Sequence, residues 1–188
     1  MKTSIWAWIV GGALATAGGV AYYRHETSAS AAELTKPASA ISANPSRNGS
    51  GSTTYLSIDL SAAGTLPGGQ YLVVANASVA TPPGVPRIDF ASALDNIQNG
   101  APDAVALVDT LAGVLIDALS YEGSVTAADI AGVGVVSLVE GTALPLGVAD
   151  NNATTASLVR LPNGADSDRA ADDWSLSALP APGSANGP

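Results

Sequence analysis

Residues 104–121 read Ala104-Val-Ala-Leu-Val-Asp-Thr-Leu-Ala-Gly-Val-Leu-Ile-Asp-Ala-Leu-Ser-Tyr121. Two apolar runs, Ala104–Val108 and Val114–Tyr121, are joined by Thr110–Gly113, a connection of hairpin length. The turn formers Asn99-Gly-Ala-Pro-Asp103 lead into the first run. The same punctuation recurs on both sides. Upstream, Tyr55-Leu-Ser-Ile-Asp-Leu60 alternates, placing Leu56, Ile58 and Leu60 on one strand face and Ser57 and Asp59 on the other. Leu66-Pro-Gly-Gly69 is a turn, and Gln70–Ala75 is a continuous apolar strand expected to be buried on both faces. Downstream come strands over Val133–Val139, Ser157–Leu161 and Trp174–Leu179. A short strand at Ile88–Phe90 and one helical turn within Ser124–Ala131 complete the reading. Short strands punctuated by 20 Gly and 12 Pro predict an all-β chain, an antiparallel sandwich or barrel.

Composition removes most enzyme classes. There is no cysteine, so disulfides and thiolate metal sites are excluded. The one histidine, His25, lies beside the N-terminal apolar run, which argues against a histidine-based triad or general base in the body of the protein. The expectation is a protein that is not an enzyme. The net charge of −9 is unevenly spread. All but two of the 16 acidic residues follow residue 53, against Arg87, Arg160 and Arg169 and no lysine. Nucleic-acid binding draws on cations that displace counterions from phosphates, so an acidic domain of this kind excludes it.

Residues 5–23 carry no charge, opening with Ile5-Trp-Ala-Trp-Ile-Val10, and are long enough to cross a bilayer as a helix at ~1.5 Å per residue. Lys2 precedes the run, and Ala29-Ser-Ala31 resembles a small-residue cleavage site. Residues 1–31 are therefore expected to be a signal peptide or a signal anchor holding the chain to a membrane. The rest would then lie outside the cytoplasm. Residues 32–53, rich in Ser, Ala, Asn, Gly and Pro, are expected to be a flexible linker, and 54–188 the folded domain.

Within 54–188, several blocks resemble the bacterial lamin-tail domain. They are Tyr55-Leu-Ser-Ile-Asp-Leu60, Leu66-Pro-Gly-Gly-Gln-Tyr-Leu-Val-Val74, Asn99-Gly-Ala-Pro-Asp-Ala-Val-Ala-Leu-Val-Asp109, Ile116-Asp-Ala-Leu-Ser-Tyr-Glu-Gly123 and Ser157-Leu-Val-Arg-Leu-Pro-Asn-Gly-Ala-Asp-Ser-Asp168. Trp174 and the closing Leu179-Pro-Ala-Pro-Gly-Ser-Ala-Asn186 resemble that family's end. The resemblance implies an immunoglobulin-like β-sandwich serving as a binding module of secreted or surface proteins, with a protein or surface polymer as partner. Such modules are often appended to extracellular nucleases or phosphatases. The alternative is accordingly a fragment of a larger secreted hydrolase or nuclease whose catalytic domain is absent here. The family's opening strands, of the types Ile-Asn-Glu-Val and Glu-Phe-Val-Glu-Leu, have no counterpart before Tyr55. That predicts a sandwich incomplete at its N-terminal edge. The gap would be filled by strand addition from a partner, by self-association or by rearrangement into a smaller sandwich, unless the reading frame is truncated.

No catalytic or cofactor-binding residue stands out. The candidate metal site is the acidic loop holding Asp166, Asp168, Asp172 and Asp173, whose carboxylates at close spacing suit Ca²⁺. The competing reading is a solvated loop with acids capping turns or pairing with Arg160 or Arg169. Asp117 and Glu122, flanking Ser120-Tyr121, are expected to face solvent, with Arg87 or Arg160 as cross-strand partner. Tyr55, Tyr71, Tyr121 and Trp174 are expected in the core.

Overall fold

The computed structural model describes residues 4–8, 20–24, 39–45, 52–64, 66–67, 69–92, 96–97, 101–148 and 156–187. Its strands are β1 (Ser4–Trp8), β2 (Val20–Arg24), β3 (Ser39–Pro45), β4 (Ser52–Asp59), β5 (Tyr71–Ala75), β6 (Arg87–Asp89), β7 (Asp103–Asp109), β8 (Val114–Tyr121), β9 (Ala128–Ile130), β10 (Gly134–Val136), β11 (Ser157–Arg160) and β12 (Trp174–Ser177). Among the described residues, the short helix α1 (Ala170–Asp173) precedes β12, and a 3-10 turn spans Ser61–Ala63. The strands form a four-stranded sheet in the order β1-β2-β5-β6, a six-stranded sheet β10-β9-β4-β3-β7-β8 and the ribbon β11-β12. Pairing is antiparallel throughout except for β4 with β9 and β5 with β6. The chain is all-β, as the turn-punctuated pattern predicts.

The hairpin β7–β8 feeds two apolar clusters, and alternation explains how. Val105 and Leu107 of β7 enter one apolar cluster with Leu119 and Tyr121 of β8, Leu72 and Val74 of β5, Leu158 and Trp174. Ala104, Ala106 and Val108, with the opposite parity, enter a second cluster with Ala118, Val125, Ile130 and Leu138. A strand covered on both faces reads as an unbroken apolar run, which is what β7 is. β5 is used likewise: Val73 and Ala75 turn away from Leu72 and Val74 to meet Val159 in a third cluster. In β8, Leu107 pairs with Asp117 but Val108 pairs with Leu115, so Ile116 is an extra residue, a β-bulge. Asp117 beside it shares the parity of Leu119 and Tyr121.

At the N-terminus the expected helix is not shown, and the described residues form strands. Within the run 5–23, read as a helix, the described residues form strands β1 and β2, and β2 pairs with β5 through Ala21↔Val74 to Arg24↔Tyr71. Residues 9–19 lie outside the described residues. Ile, Val, Trp and Tyr suit a pleated surface as well as an apolar helix, and here a sheet partner decides between them. Likewise, within the stretch 32–53 read as linker, Ser39–Pro45 forms β3, hydrogen-bonded to β4 on one side and β7 on the other. β3 thus lies along β4, the strand that contains Tyr55. Ser124–Ala131, read as a helical turn, instead contains β9. Among the described residues, no helix is long and apolar enough to cross a membrane.

Candidate functional site

Arg160 ends β11 opposite Trp174 of β12 and is fully buried. Its guanidinium carbon lies 5.1 Å from the centroid of the Trp174 ring, a cation–π arrangement. Three carboxylates surround the same guanidinium. Nη2 donates to both carboxylate oxygens of Asp117, at 3.1 and 3.2 Å, and to both of Glu140, at 3.2 Å each. Nη1 pairs with Asp166 at 3.1 Å and donates to the carbonyl of Ala165 at 3.2 Å. Arg160 Nε, Trp174 Nε1 and Ser157 Oγ are buried without a hydrogen-bond partner.

Local geometry delivers each acid to the cation. Asp117, next to the bulge in β8, reaches Arg160 of β11. Glu140 is positioned by its own carbonyl, which accepts from Ala170 N at 3.0 Å, while Thr142 O accepts from Ala171 N at 3.0 Å. Gly141 lies between them at φ +52°, and a Cβ there would come within 2.1 Å of the Asp168 carbonyl oxygen. Only glycine admits that approach. The C-terminal tail closes the other side. Asn186 Nδ2 donates to the Arg160 carbonyl at 3.2 Å, Asn186 N to Asn163 Oδ1 at 2.8 Å, and Asn163 Nδ2 to the Tyr71 hydroxyl at 3.2 Å.

The electrostatics follow from burial. Desolvation pulls the Arg160 pKa down, but the charges of Asp117, Glu140 and Asp166 outweigh it and raise it on balance. Burial pushes Glu140 upward; Arg160 and a hydrogen bond with Asp117 oppose the shift, and Asp166 adds to it. The arrangement is an ionic lock joining β8, β11 and two loops, its cation always charged.

A second buried acid ties β7 to β8. Asp103 is fully buried, accepts from Ala104 N at 2.9 Å and hydrogen-bonds the Tyr121 side chain. Desolvation, helped by the Glu122 charge, raises its pKa to about 7. Burial, the Asp103 charge and those of Tyr55 and Glu122 push the Tyr121 hydroxyl upward as well.

The four carboxylates of the proposed calcium loop go to different partners. Asp166 joins Arg160, and Asp172 pairs with Arg169 at 2.9 Å. Asp173 is buried, accepting from Ser167 N at 2.7 Å and Ser167 Oγ at 2.9 Å. Asp168, at φ +57°, donates its N–H to Asp166 Oδ1 at 3.3 Å. Among the described residues, the acidic group compact enough for a metal is Asp117, Glu140 and Asp166, with ligand oxygens within 4.8 Å of one another. Their hard oxygens suit a divalent ion, but Arg160 is already seated there as the cation.

Asp117 does take Arg160 as its partner, yet it is buried rather than solvent-facing. Arg87 instead pairs with Asp89 and reaches Val79 O and Thr81 Oγ1. Tyr121 and Trp174 are in the core, while Tyr71 is half-buried. Sequence reasoning missed Asp103 and Glu140. The signal for Asp103 was its place at the start of a run buried on both faces; Glu140 offered none. No known protein family, curated protein or solved structure matches this chain.

Proposed function

We propose that this chain is a non-catalytic interaction module of lamin-tail type. It is an immunoglobulin-like β-sandwich exposed at the outer side of the cell envelope, secreted or surface-held, that meets a protein or surface polymer. The observation that carries the reading is the division of labour between interior and surface. The chemically capable groups, Arg160 with its three carboxylates and Asp103 with Tyr121, face inward and are spent on holding strands together. Apolar side chains stand outside instead. Leu111 and Val135 are 69 % and 70 % exposed, and Val114 is 47 % exposed. Leu111 and Val114 sit at the tip of the β7–β8 hairpin and Val135 lies within β10, and the β7–β8 and β9–β10 hairpins touch where Gly113 faces the Gly132 carbonyl. A shared core of residues from β5 and from β4, β7 and β8 supports the sandwich. The acidic surface supports a partner other than nucleic acid.

The test is retention of the purified full chain on isolated cell envelopes, compared with the Leu111→Asp/Val135→Asp variant. The expected result is that the wild-type chain is retained and the variant released, with unfolding curves unchanged. Equal retention of both, or of neither, overturns the proposal.

A further inference from the structure

Residues 181–186 sit against β5 in the way a bound peptide sits in a slot. Ala181 packs on the cluster of Val73, Ala75 and Val159, and Gly183 is buried. A Cβ added at Gly183 would stand 3.1 Å from both Pro82 Cδ and Val85 Cγ1 and 3.3 Å from Val73 Cγ2. With φ at +73° as well, the position fits glycine alone. Three residues on, Asn186 N donates to Asn163 Oδ1 at 2.8 Å and Asn186 Nδ2 to the Arg160 carbonyl at 3.2 Å. The walls of the slot thus come from β5, the loop at 82–85 and the chain from β11 to Asn163. The segment also carries its own shape. Pro182 and Gly183 form the centre of a type II turn closed by Ser184 N donating to Ala181 O at 3.0 Å, and Ser184 Oγ donates to the same carbonyl at 3.1 Å. A peptide whose bound shape is built in loses little entropy when it docks. Residues 178–180, which join the segment to β12, are exposed, Leu179 at 69 %.

We propose that this slot is a peptide-recognition site for Ala181-Pro-Gly-Ser-Ala-Asn186, and that two copies of the chain exchange the segment, each seating it on the other's β5. The occupant is a second copy because the segment already in the slot is its matched ligand. Every contact described above is remade unchanged when the segment comes from another chain, and the exposed hinge at 178–180 has little packing to lose. The balance between the two arrangements is then set by concentration: the tether favours the chain's own segment, and a rising protein concentration favours exchange. Because each copy offers both a slot and a segment, reciprocal exchange closes into a two-fold dimer. The inference rests on the slot alone and is independent of the envelope partner proposed above.

The experiment pairs fluorescence anisotropy of a labelled synthetic peptide, residues 178–187, with light-scattering mass of the full chain. The acceptor is the full-length Gly183→Val variant, whose own segment no longer seats. The peptide is expected to bind this variant saturably, one to one. It should bind the wild-type chain at least about tenfold more weakly, because the tethered segment competes at an effective concentration of about 1 mM. A peptide carrying the same Gly183→Val change should bind neither. Concentrated wild-type chain should form a dimer that excess peptide dissolves, while the variant stays monomeric. Should Gly183→Val fail to fold, Asn186→Ala serves as the acceptor, since it loses one side-chain bond and leaves the turn intact. Three results would each overturn exchange: a folded acceptor that does not bind the peptide, a wild-type chain monomeric up to about 1 mM, or a dimer that persists in Gly183→Val.

Discussion

Asp103→Asn removes the buried carboxyl whose ionisation the interior opposes most plainly. The group is fully buried at the start of β7, with burial as the chief cause of a pKa raised from 3.8 to about 7. An acid with a raised native pKa binds more protons folded than unfolded between those two values, so stability falls as pH rises through that window. Its contribution is intact below about pH 4 and lost by about pH 7. A displacement of roughly 3 units, at about 1.4 kcal/mol each, makes the loss roughly 4 kcal/mol. Asparagine keeps an Oδ1 to accept from Ala104 N and to meet the Tyr121 hydroxyl, but does not ionise. The variant should therefore match wild type to within about 1 kcal/mol at about pH 4 and exceed it by up to about 4 kcal/mol at about pH 8. Urea unfolding at four pH values, with equal m-values, measures the difference directly. Parallel pH profiles for the two proteins would refute the reasoning, because they would mean that the interior does not resist the charge.

Arg160→Met leaves Asp117, Glu140 and Asp166 without their shared cation. Breaking a buried pair from one side costs about 3–5 kcal/mol, so denaturant unfolding at neutral pH should show a loss of that size, shrinking in acid as the carboxylates take up protons. Gly141→Ala drives a methyl to within 2.1 Å of the Asp168 carbonyl at a positive φ. The expected cost is at least about 2 kcal/mol in thermal or urea unfolding. Gly147→Ala, where a Cβ meets nothing within 4 Å, serves as the near-neutral control.

What could be read from the chain is governed by the distance over which its interactions run. The β7–β8 hairpin was legible because its period, its turn and its two-faced burial are all encoded within residues 103–121. At the N-terminus the local signal is ambiguous: Ile5-Trp-Ala-Trp8 and Val20-Ala-Tyr-Tyr-Arg24 satisfy an apolar helix and a strand equally well, and strand pairing, β1 with β2 and β2 with the remote β5, distinguishes them. β3 carries even less local signal; it is a strand because β4 and β7 flank it. The acidic loop was conspicuous for the opposite reason. Its four aspartates are close in sequence, and proximity in sequence suggested a common ligand. In space only Asp166 enters the compact acidic group.

The members of that group are far apart along the chain, with Asp117 separated from Arg160 by 43 residues and Glu140 by 20. Nothing local marks them as partners, but a global constraint does. An arginine within the apolar strand Ser157-Leu-Val-Arg160 either points to solvent or brings acids inward with it, because a buried guanidinium without them is prohibitively costly. The strand is buried at every position, so the acids had to come from elsewhere in the fold. They arrive three to one cation, and the single guanidinium reaches all of them because Nη1 and Nη2 each present donors to a different side of the junction.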